Sequence, residues 1–458
     1  MYIIDSFKTV IKLIKEKQLI TTFASRTLFI YSSIIYNSYG YIDNISNTDN
    51  YKNMITIKLE KEEIDYYLQH ICLFGLSLLN ETFNSKEVYD HIVKSSDILL
   101  PDDDYTTFKE KYLNELNQIE LDLNDYYNSR DLDGWYDSNK QIQLINNESK
   151  IDLEQDTLWE QIDLSKWTPI NKNNIIGTNW GKVHSPIEKD LLKQIEKNVI
   201  EEYSKIDLEE EHKFILENSL TLSGESKIFS EFWLDIENNI TIGGFYNYLL
   251  IYYLENNYLD TLTQIKLFHM LNLGIFQSTI LIWKIKYQME DPSPLQVIRG
   301  SELSFDINYY YGESNTNDWL PYKNFNHGIS SCPDFPSEIA GISSIGSFLL
   351  GMFLSDEFVN LNILVPKDEI TFISDMMSES DTVNETINFI DWKIKKNSSK
   401  ITPNIPQSDT ILNIKNWKDL AQVIGYSPVN SGISTIFSIN SGYNLGVNLG
   451  KIIINHFL

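Results

Sequence analysis

The sequence has 458 residues, of which 42 % are hydrophobic and 13 % aromatic, so it can bury a sizeable core and does not resemble a globally disordered chain. Its formal net charge of −27 predicts that neither nucleic acid phosphates nor anionic lipid surfaces are partners. Two cysteines, Cys72 and Cys332, are too few for a disulfide framework or a metal cluster and fit a reducing compartment.

The N-terminal segment and the most apolar stretches bear on targeting. Met1–Lys17 carries recurrent lysines and no small-residue cleavage site follows it, so we predict no signal peptide. Leu271–Trp283 and Ile342–Leu354 contain polar residues and are too short to span a bilayer, so we predict no transmembrane helix and no membrane partner. These features favour an intracellular protein.

Helical spacing of apolar residues dominates the chain, as in Phe23–Ile42, where Leu28, Tyr31, Ile35 and Tyr39 share one face. The pattern predicts an all-α helical bundle in a single domain, 1–458. The predicted helices are Phe23–Ile42, Glu60–Leu79, Tyr105–Tyr127, Asp207–Thr221, Lys227–Asp235, Gly243–Glu255, a pair in Leu259–Lys286, Pro336–Leu354, one or two in Asp368–Lys396, Lys415–Ile424 and Ser434–His456.

Two regions lack a sustained helical period. Gly134–Asn173 is predicted as loop with a short hairpin near Gln141–Ile145, and Leu295–Pro333 as irregular. We therefore divide the domain into N-terminal helices (1–135), an irregular loop and hairpin region (136–185) and a core bundle (186–458).

Four segments along the chain carry a pattern that is similar to one known family. They are Ala24–Asp43, Trp167–Pro186, the region from Glu231 to Gly300, and Trp319 to the C-terminus. In this order they resemble the vanadium-dependent haloperoxidase and PAP2 phosphatase superfamily, over roughly two thirds of the chain. The resemblance implies a helical bundle of that type with minor β-hairpin elements. It also implies an oxyanion site in which Lys and Arg bind vanadate or phosphate, with one histidine as covalent ligand and another as general acid or base.

The first and third family motifs keep their spacing here but change their charged residues. Lys286 is retained and is followed at the family's distance by Ser293 and Pro294, with serine in place of the expected arginine. In the third motif, Pro428 stands at the arginine position and Ser434 at that of the metal-ligand histidine. Serine and proline cannot neutralise an oxyanion as arginine does.

The second motif keeps its flanks, Phe335-Pro336 and Gly341, almost letter for letter. The serine donor position is Ala340, and the acid/base histidine position is Ile342, which has no proton to transfer. The resemblance therefore predicts a degenerate site that has lost vanadate and phosphate binding, and no cofactor or metal.

The leading hypothesis is a catalytically inactive scaffold that contacts other protein chains, in a homo-oligomer or a larger assembly. One alternative is a remodelled peroxidase or phosphatase-like enzyme that uses Lys286, Ser293, Ser434 and His327. Another is a small-molecule binder in the vacated pocket. For Lys286, a buried cation without an anion, we expect a carboxylate partner such as Glu290 or Asp291.

The other basic and imidazole side chains do not suggest a replacement site. Arg299 is interpreted as a scaffold residue, and a lone histidine on an apolar helix, such as His269, as a core residue. The seven histidines show no short metal-ligand spacing; they are His70, His91, His184, His212, His269, His327 and His456.

Overall fold

The computed structural model describes residues 2–42, 56–83, 103–131, 133–135, 164–169, 175–300, 319–322, 332–354, 363–365, 390–394, 396–414 and 416–457. Within them the helices are α1 (Tyr2–Glu16), α2 (Thr21–Tyr39), α3 (Glu63–Phe83), α4 (Asp103–Lys111), α5 (Leu113–Asp131), α6 (Lys189–Tyr203), α7 (Leu208–Leu220), α8 (Gly224–Asn239), α9 (Thr241–Asn256), α10 (Thr261–Met289), α11 (Pro294–Gly300), α12 (Glu338–Phe353), α13 (Trp417–Asn430) and α14 (Ile436–Phe457). The predicted helical class is confirmed.

The chain forms two compact units, each assembled from two separate segments. The first comprises Met1–Asp133 and Asn238–Phe276, and the second Gly134–Glu237 and Gln277–Leu458. A boundary between the two units falls inside α10. The sequence predicted one undivided domain, 1–458.

The first unit packs α1, α2, α3 and α9 around aromatic side chains. Phe7 stacks on Phe268 with ring centroids 3.8 Å apart, and Phe29 on Phe276 at 4.8 Å. Helix α2 is buried on nearly every side, and its Arg26 forms a buried ion pair with Asp133, Nε to Oδ2, at 3.1 Å. This pair ties α2 to the chain that follows α5.

The second unit is centred on α12, which packs against both α13 and α14. Contact between α12 and α14 is close because glycines face the partner helix. A Cβ added at Gly446 would lie 2.1 Å from Ser344 Oγ and 2.4 Å from the carbonyl oxygen of Gly341, and one at Gly442 would lie 2.3 Å from that of Ser337. Side chains at these positions would force the two helices apart.

A small three-stranded sheet also belongs to the second unit, in the order β1 (Ile363–Val365), β2 (Ile390–Ile394), β3 (Thr410–Ile414). Strand β1 pairs parallel to β2, and β2 antiparallel to β3 with Trp392 opposite Leu412. The predicted helix in Asp368–Lys396 is therefore wrong over Ile390–Ile394, where apolar and polar residues alternate with the period of a strand. The rest of that prediction, like the hairpin near Gln141–Ile145, lies outside the described residues.

Three other predicted elements differ from the structure. The region Leu259–Lys286 is one continuous helix, α10, because no proline interrupts it. The region Tyr105–Tyr127 is divided between α4 and α5 at Tyr112. Leu295–Pro333 begins within a helix, α11, whose first residue is Pro294 and whose preceding Ser293 accepts a hydrogen bond from the amide of Gln296 at 3.4 Å.

The length of α10 also revises the membrane argument. By length and composition alone, the segment Thr261–Gly300 could cross a membrane, contrary to the expectation drawn from Leu271–Trp283. Of its most apolar stretch, 94 % is buried inside the protein, as in the core helix of a globular fold. Among the described residues this is the single such candidate.

The Arg26–Asp133 pair yields a first test. Replacing Arg26 with Met should lower the free energy of unfolding by about 3–5 kcal/mol, because Asp133 is left buried without its cation. Chemical denaturation measures this. The control is Lys8→Met, which breaks the more exposed Lys8–Glu255 pair and should cost less than about 1 kcal/mol. Equal effects of the two substitutions would contradict a buried, structurally important pair.

The close packing of α12 and α14 yields a second test. Gly446→Ala should destabilise the protein by about 2 kcal/mol, since the overlap outweighs the gain in helix propensity. The matched control is Gly425→Ala on α13, where the nearest atom to an added Cβ is 3.4 Å away. That variant should be neutral or more stable by up to about 1 kcal/mol. Thermal denaturation of both variants measures these changes in stability. A Gly446→Ala variant that is as stable as the parent would argue against this packing.

Candidate functional site

The site is built around Asp334, which precedes α12 and is 7 % exposed. Its carboxylate accepts three hydrogen bonds from the start of the α14 region: from Ser434 Oγ at 2.5 Å, from the Thr435 amide at 3.0 Å and from Thr435 Oγ1 at 3.1 Å. Its main-chain carbonyl accepts a fourth from Ser438 Oγ at 3.0 Å. Asp334 therefore ties the chain before α12 to the first residues of α14.

Lys286, near the end of α10, reaches the same residue. It is 4 % exposed, and its Nζ donates to the carbonyl oxygens of Pro333 at 2.8 Å and Asp334 at 2.6 Å. The expected carboxylate partner Glu290 is instead paired at the surface with Lys166, at 3.6 Å. The expectation of a direct partner is thus wrong for Glu290, because main-chain carbonyls satisfy the ammonium group.

Asp291 lies beside this group and is 2 % exposed. Its Oδ1 accepts a hydrogen bond of 2.6 Å from the Tyr203 hydroxyl at the end of α6. Burial and the nearby Asp334 charge raise the pKa of Asp291 to about 7, although the Tyr203 bond and the Lys286 charge oppose the shift. Asp291 is therefore close enough to Lys286 to interact electrostatically, as the sequence suggested.

A third carboxyl group, Glu338, opens α12. Its Oε1 accepts a hydrogen bond of 2.6 Å from Trp283 Nε1 of α10. Burial raises the pKa of Glu338 to about 7, and the Trp283 bond and the Lys286 charge only partly offset that effect. The surroundings of Lys286 thus contain three carboxyl groups: Asp291, Asp334 and Glu338.

The other positions of the family motifs have roles in packing and capping. Ser293 caps α11, and a Cβ at Gly341 would meet Ile282 Cδ1 at 2.3 Å. Ile342 is fully buried, and Pro428 is buried within α13. Ala340 is fully buried in an apolar cluster with Ile215, Leu216, Leu295, Ile298, Trp319, Val429 and Ile439. Among the seven family motif positions, the described contacts bring Lys286 and Ser434 together, because both bond to Asp334.

His212 of α7 is a further polar residue that the sequence analysis set aside. It is 1 % exposed, and its Nδ1 lies 2.6 Å from the carbonyl oxygen of Leu208. Among the described residues, Nε2 has no hydrogen-bond partner. Burial lowers the pKa of His212, while the Leu208 bond and the Asp334 charge oppose that shift. Its spacing to Ile215 and Leu216, three and four residues on, was the available signal that it faces the core.

The comparisons with known proteins agree with this geometry. Residues 266–458 match the family model described as the VCPO second helical-bundle domain. A bacterial vanadium-dependent iodoperoxidase structure is similar over 98 % of this chain and 94 % of its own, with a TM-score of 0.56 and 15 % identity. Bacterial vanadium-dependent chloroperoxidase is similar in its apo form (TM-score 0.61, 12 % identity, 95 % and 94 % covered) and in its holo form (0.55, 12 %, 95 % and 92 %).

The chain has the helical fold of the vanadium haloperoxidases, and its C-terminal part, 266–458, matches the model of the VCPO second helical-bundle domain. No curated protein matches it in sequence. The structural likeness, at 12–15 % identity, concerns the fold. Residues 266–458 contain all three motifs, so Lys286, Asp334 and Ser434 lie within the matched segment. His327 lies outside the described residues.

Glu338 gives a prediction of pH dependence. Its pKa is raised from 4.5 to about 7 in the folded protein, so the folded form keeps a proton that the unfolded chain has lost. Stability should therefore fall as pH rises through that window. In Glu338→Gln, which keeps an acceptor for Trp283, the fall in thermal midpoint should be smaller than in the parent.

The matched control is Glu217→Gln, at an exposed position on α7. This variant separates a general effect of removing a carboxylate from the effect of removing the partly buried Glu338 carboxyl group. Identical slopes of thermal midpoint against pH in the parent and in Glu338→Gln would contradict the prediction.

Proposed function

We propose that this protein is a catalytically inactive member of the haloperoxidase fold and acts as a structural or protein-interaction scaffold, in an oligomer or a larger assembly. The observation that carries the proposal is the state of Lys286. Its ammonium group already donates to the carbonyl oxygens of Pro333 and Asp334, at 2.8 and 2.6 Å, and is buried with them. These bonds engage two of the three ammonium N–H donors, so Lys286 has at most one donor left for an oxyanion.

The charges around Lys286 support the same proposal. Vanadate and phosphate are bound by cationic and N–H donors, with arginine forks preferred. Here the neighbouring charged groups are the carboxyl groups of Asp291, Asp334 and Glu338, which repel an anion when ionised. The residues present therefore do not fit the vanadate that the family name implies.

The packing of Ala340, which stands where the family pattern has a serine donor, supports the proposal. Ala340 has an apolar environment that includes Leu216, Leu295 and Val429. Its methyl group also lies 3.4 Å from a Cβ placed on Gly425. An apolar side chain in close contact on several sides stabilises the bundle and offers no hydrogen bond to a ligand.

The proposal that the protein acts as a scaffold is supported by apolar side chains that are exposed at the surface. In the first unit, Tyr258 is 94 % exposed and Leu121 58 %. In the second, Met352 is 56 % and Phe353 39 % exposed at the end of α12. Exposed aromatic residues and methionine are enriched where proteins contact one another.

One observation favours the alternative, a remodelled enzyme. Ser434 Oγ donates to Asp334 Oδ1 at 2.5 Å, so a hydroxyl and a carboxylate base lie in contact next to Lys286. A serine with an adjacent base and a lysine is an arrangement used for nucleophilic catalysis. Ser434 is 4 % exposed, so a substrate could reach it only if the bundle opened.

Anion binding separates the two functions. With orthovanadate or inorganic phosphate as the titrant, calorimetry should detect no binding tighter than about 1 mM to the parent protein. The Lys286→Met variant should behave identically. A bacterial vanadium-dependent chloroperoxidase under the same conditions is the positive control. Micromolar binding that is lost in Lys286→Met would overturn the proposal.

A serine-directed fluorophosphonate probe tests the enzyme alternative. Under the scaffold proposal, the parent and Ser434→Ala show the same background labelling, because Ser434 is buried and its proton is held by Asp334. The control is Ser293→Ala, which removes a helix-capping hydroxyl. Labelling that disappears only in Ser434→Ala would favour the enzyme.

Sedimentation velocity tests whether the protein assembles. A strictly monomeric chain without captured partners would contradict the proposed scaffold.

A further inference from the structure

The protein binds the side chain of Asp334 in the way that a receptor binds a carboxylate ligand. Its Oδ1 accepts a hydrogen bond from Ser434 Oγ at 2.5 Å, and its Oδ2 accepts two from Thr435, from the amide at 3.0 Å and from Oγ1 at 3.1 Å. The neighbouring Asp291 is also buried, but in the described part of the chain its side chain accepts one bond, from Tyr203. Both carboxylate oxygens of Asp334 therefore have donors that a distant segment supplies.

The main chain of Asp334 has contacts of its own that do not involve the carboxylate. Its amide donates to the carbonyl oxygen of Asp291 at 3.1 Å, and its carbonyl oxygen accepts from Lys286 Nζ at 2.6 Å and from Ser438 Oγ at 3.0 Å. Three residues further on, the Ser337 amide donates to the carbonyl oxygen of Ser438 at 3.0 Å. We therefore expect the backbone at position 334 to keep its place when the side chain is shortened.

The donors that face this carboxylate are held by other contacts as well. The Ser438 amide donates to Thr435 Oγ1 at 3.2 Å, and the Ile439 amide donates to the Thr435 carbonyl oxygen at 3.1 Å. The Phe437 amide donates to Glu211 Oε2 at 3.1 Å, which fixes the same turn from the side of α7. Removal of the carboxyl group would thus leave a preformed space in which the Thr435 amide has lost its acceptor.

We propose that Ser434 and Thr435, with the ammonium group of Lys286 nearby, form a binding site for a small carboxylate anion, and that Asp334 occupies this site as a tethered ligand. A tethered group excludes free anions because its effective concentration is far higher than theirs. The inference rests on the proposed loss of anion binding and gives it a further cause, namely that an internal anion fills donors that are still present. A single substitution at Asp334 should therefore uncover the site.

The charge of the occupant limits which anions can replace it. Formate has the single negative charge of the Asp334 carboxylate and a similar size, so it restores the charge that the substitution removes. A phosphate dianion would add a further negative charge close to Asp291, whose carboxyl group already interacts with the charge of Asp334. The site should accordingly prefer formate to phosphate.

Thermal denaturation of Asp334→Ala at about pH 7 tests the site in the full-length chain. Replacing about 0.1 M sodium chloride by sodium formate should raise the midpoint of this variant by roughly 2–4 °C, because formate binds the folded form. The midpoint of the parent should change by less than about 1 °C, since Asp334 occupies the site. Sodium phosphate of equal ionic strength should raise the midpoint of Asp334→Ala less than formate does.

The matched control is Asp291→Ala, which removes the adjacent buried carboxyl group and leaves the Tyr203 hydroxyl as its former donor. Formate should change the midpoint of this variant no more than that of the parent. The absence of a selective rise in Asp334→Ala, or an equal rise in Asp291→Ala, would overturn the inference. Micromolar binding of vanadate to the parent would instead contradict the proposed function, so the two failures are distinguishable.

A second pair of variants decides the matter if Asp334→Ala does not fold. Asp334→Asn keeps the shape of the side chain but offers a neutral amide to three donors, so its midpoint should fall by at least about 5 °C. Asp291→Asn, which still offers an acceptor to Tyr203, should remain within about 2 °C of the parent or unfold at a higher temperature. Equal losses in the two variants would show that Asp334 is not held as a bound anion.

Discussion

The contact between Lys286 and the main chain of Asp334 organises the second unit. One buried ammonium group holds two consecutive carbonyl oxygens, those of Pro333 and Asp334, and so fixes the chain just before α12. The Asp334 side chain then binds the residues that begin α14. Helix α10, the chain before α12 and the start of α14 are distant in sequence and are thereby joined through Asp334. The positive charge of Lys286 is stabilised in this buried place because hydrogen bonds are electrostatically stronger in a low-polarity interior.

The proposed loss of anion binding rests on the charges near Lys286. In the haloperoxidase pattern that the sequence resembles, the lysine belongs to a cationic cradle, whereas here Lys286 interacts electrostatically with Asp291 and Glu338 and donates to the main chain of Asp334. Asp291 and Asp334 are buried and Glu338 is partly buried, so ionising all three near one lysine carries a free-energy cost. Burial raises the pKa of Asp291 and of Glu338 to about 7, which links the stability of the protein to pH. The proposed loss of anion binding draws on the same carboxyl groups.

The packing of α12 explains why the motif flanks persist while their polar residues differ. Gly341, Gly442 and Gly446 lie where a single Cβ would overlap a neighbouring helix, so small residues are required whatever the site does. Ala340 and Ile342 are completely buried and fill space inside the same bundle. Packing alone therefore accounts for the glycine that the second motif retains, Gly341.

The sequence by itself determined the helical class and most of the helices of the core, and it indicated the haloperoxidase fold, because apolar periodicity and ordered motifs are local or linear signals. It also identified Lys286 and Ser434 as two of the seven positions of the family's site. It did not place β2, which is short and is stabilised by pairing with β3, nor the continuity of α10 through both units. Only the tertiary structure brought Asp334 to Lys286, Tyr203 to Asp291 and His212 near Asp334. Their proximity depends on how α6, α7 and α12 pack, and burial, which sets their charge states, is a property of that packing and not of any one segment.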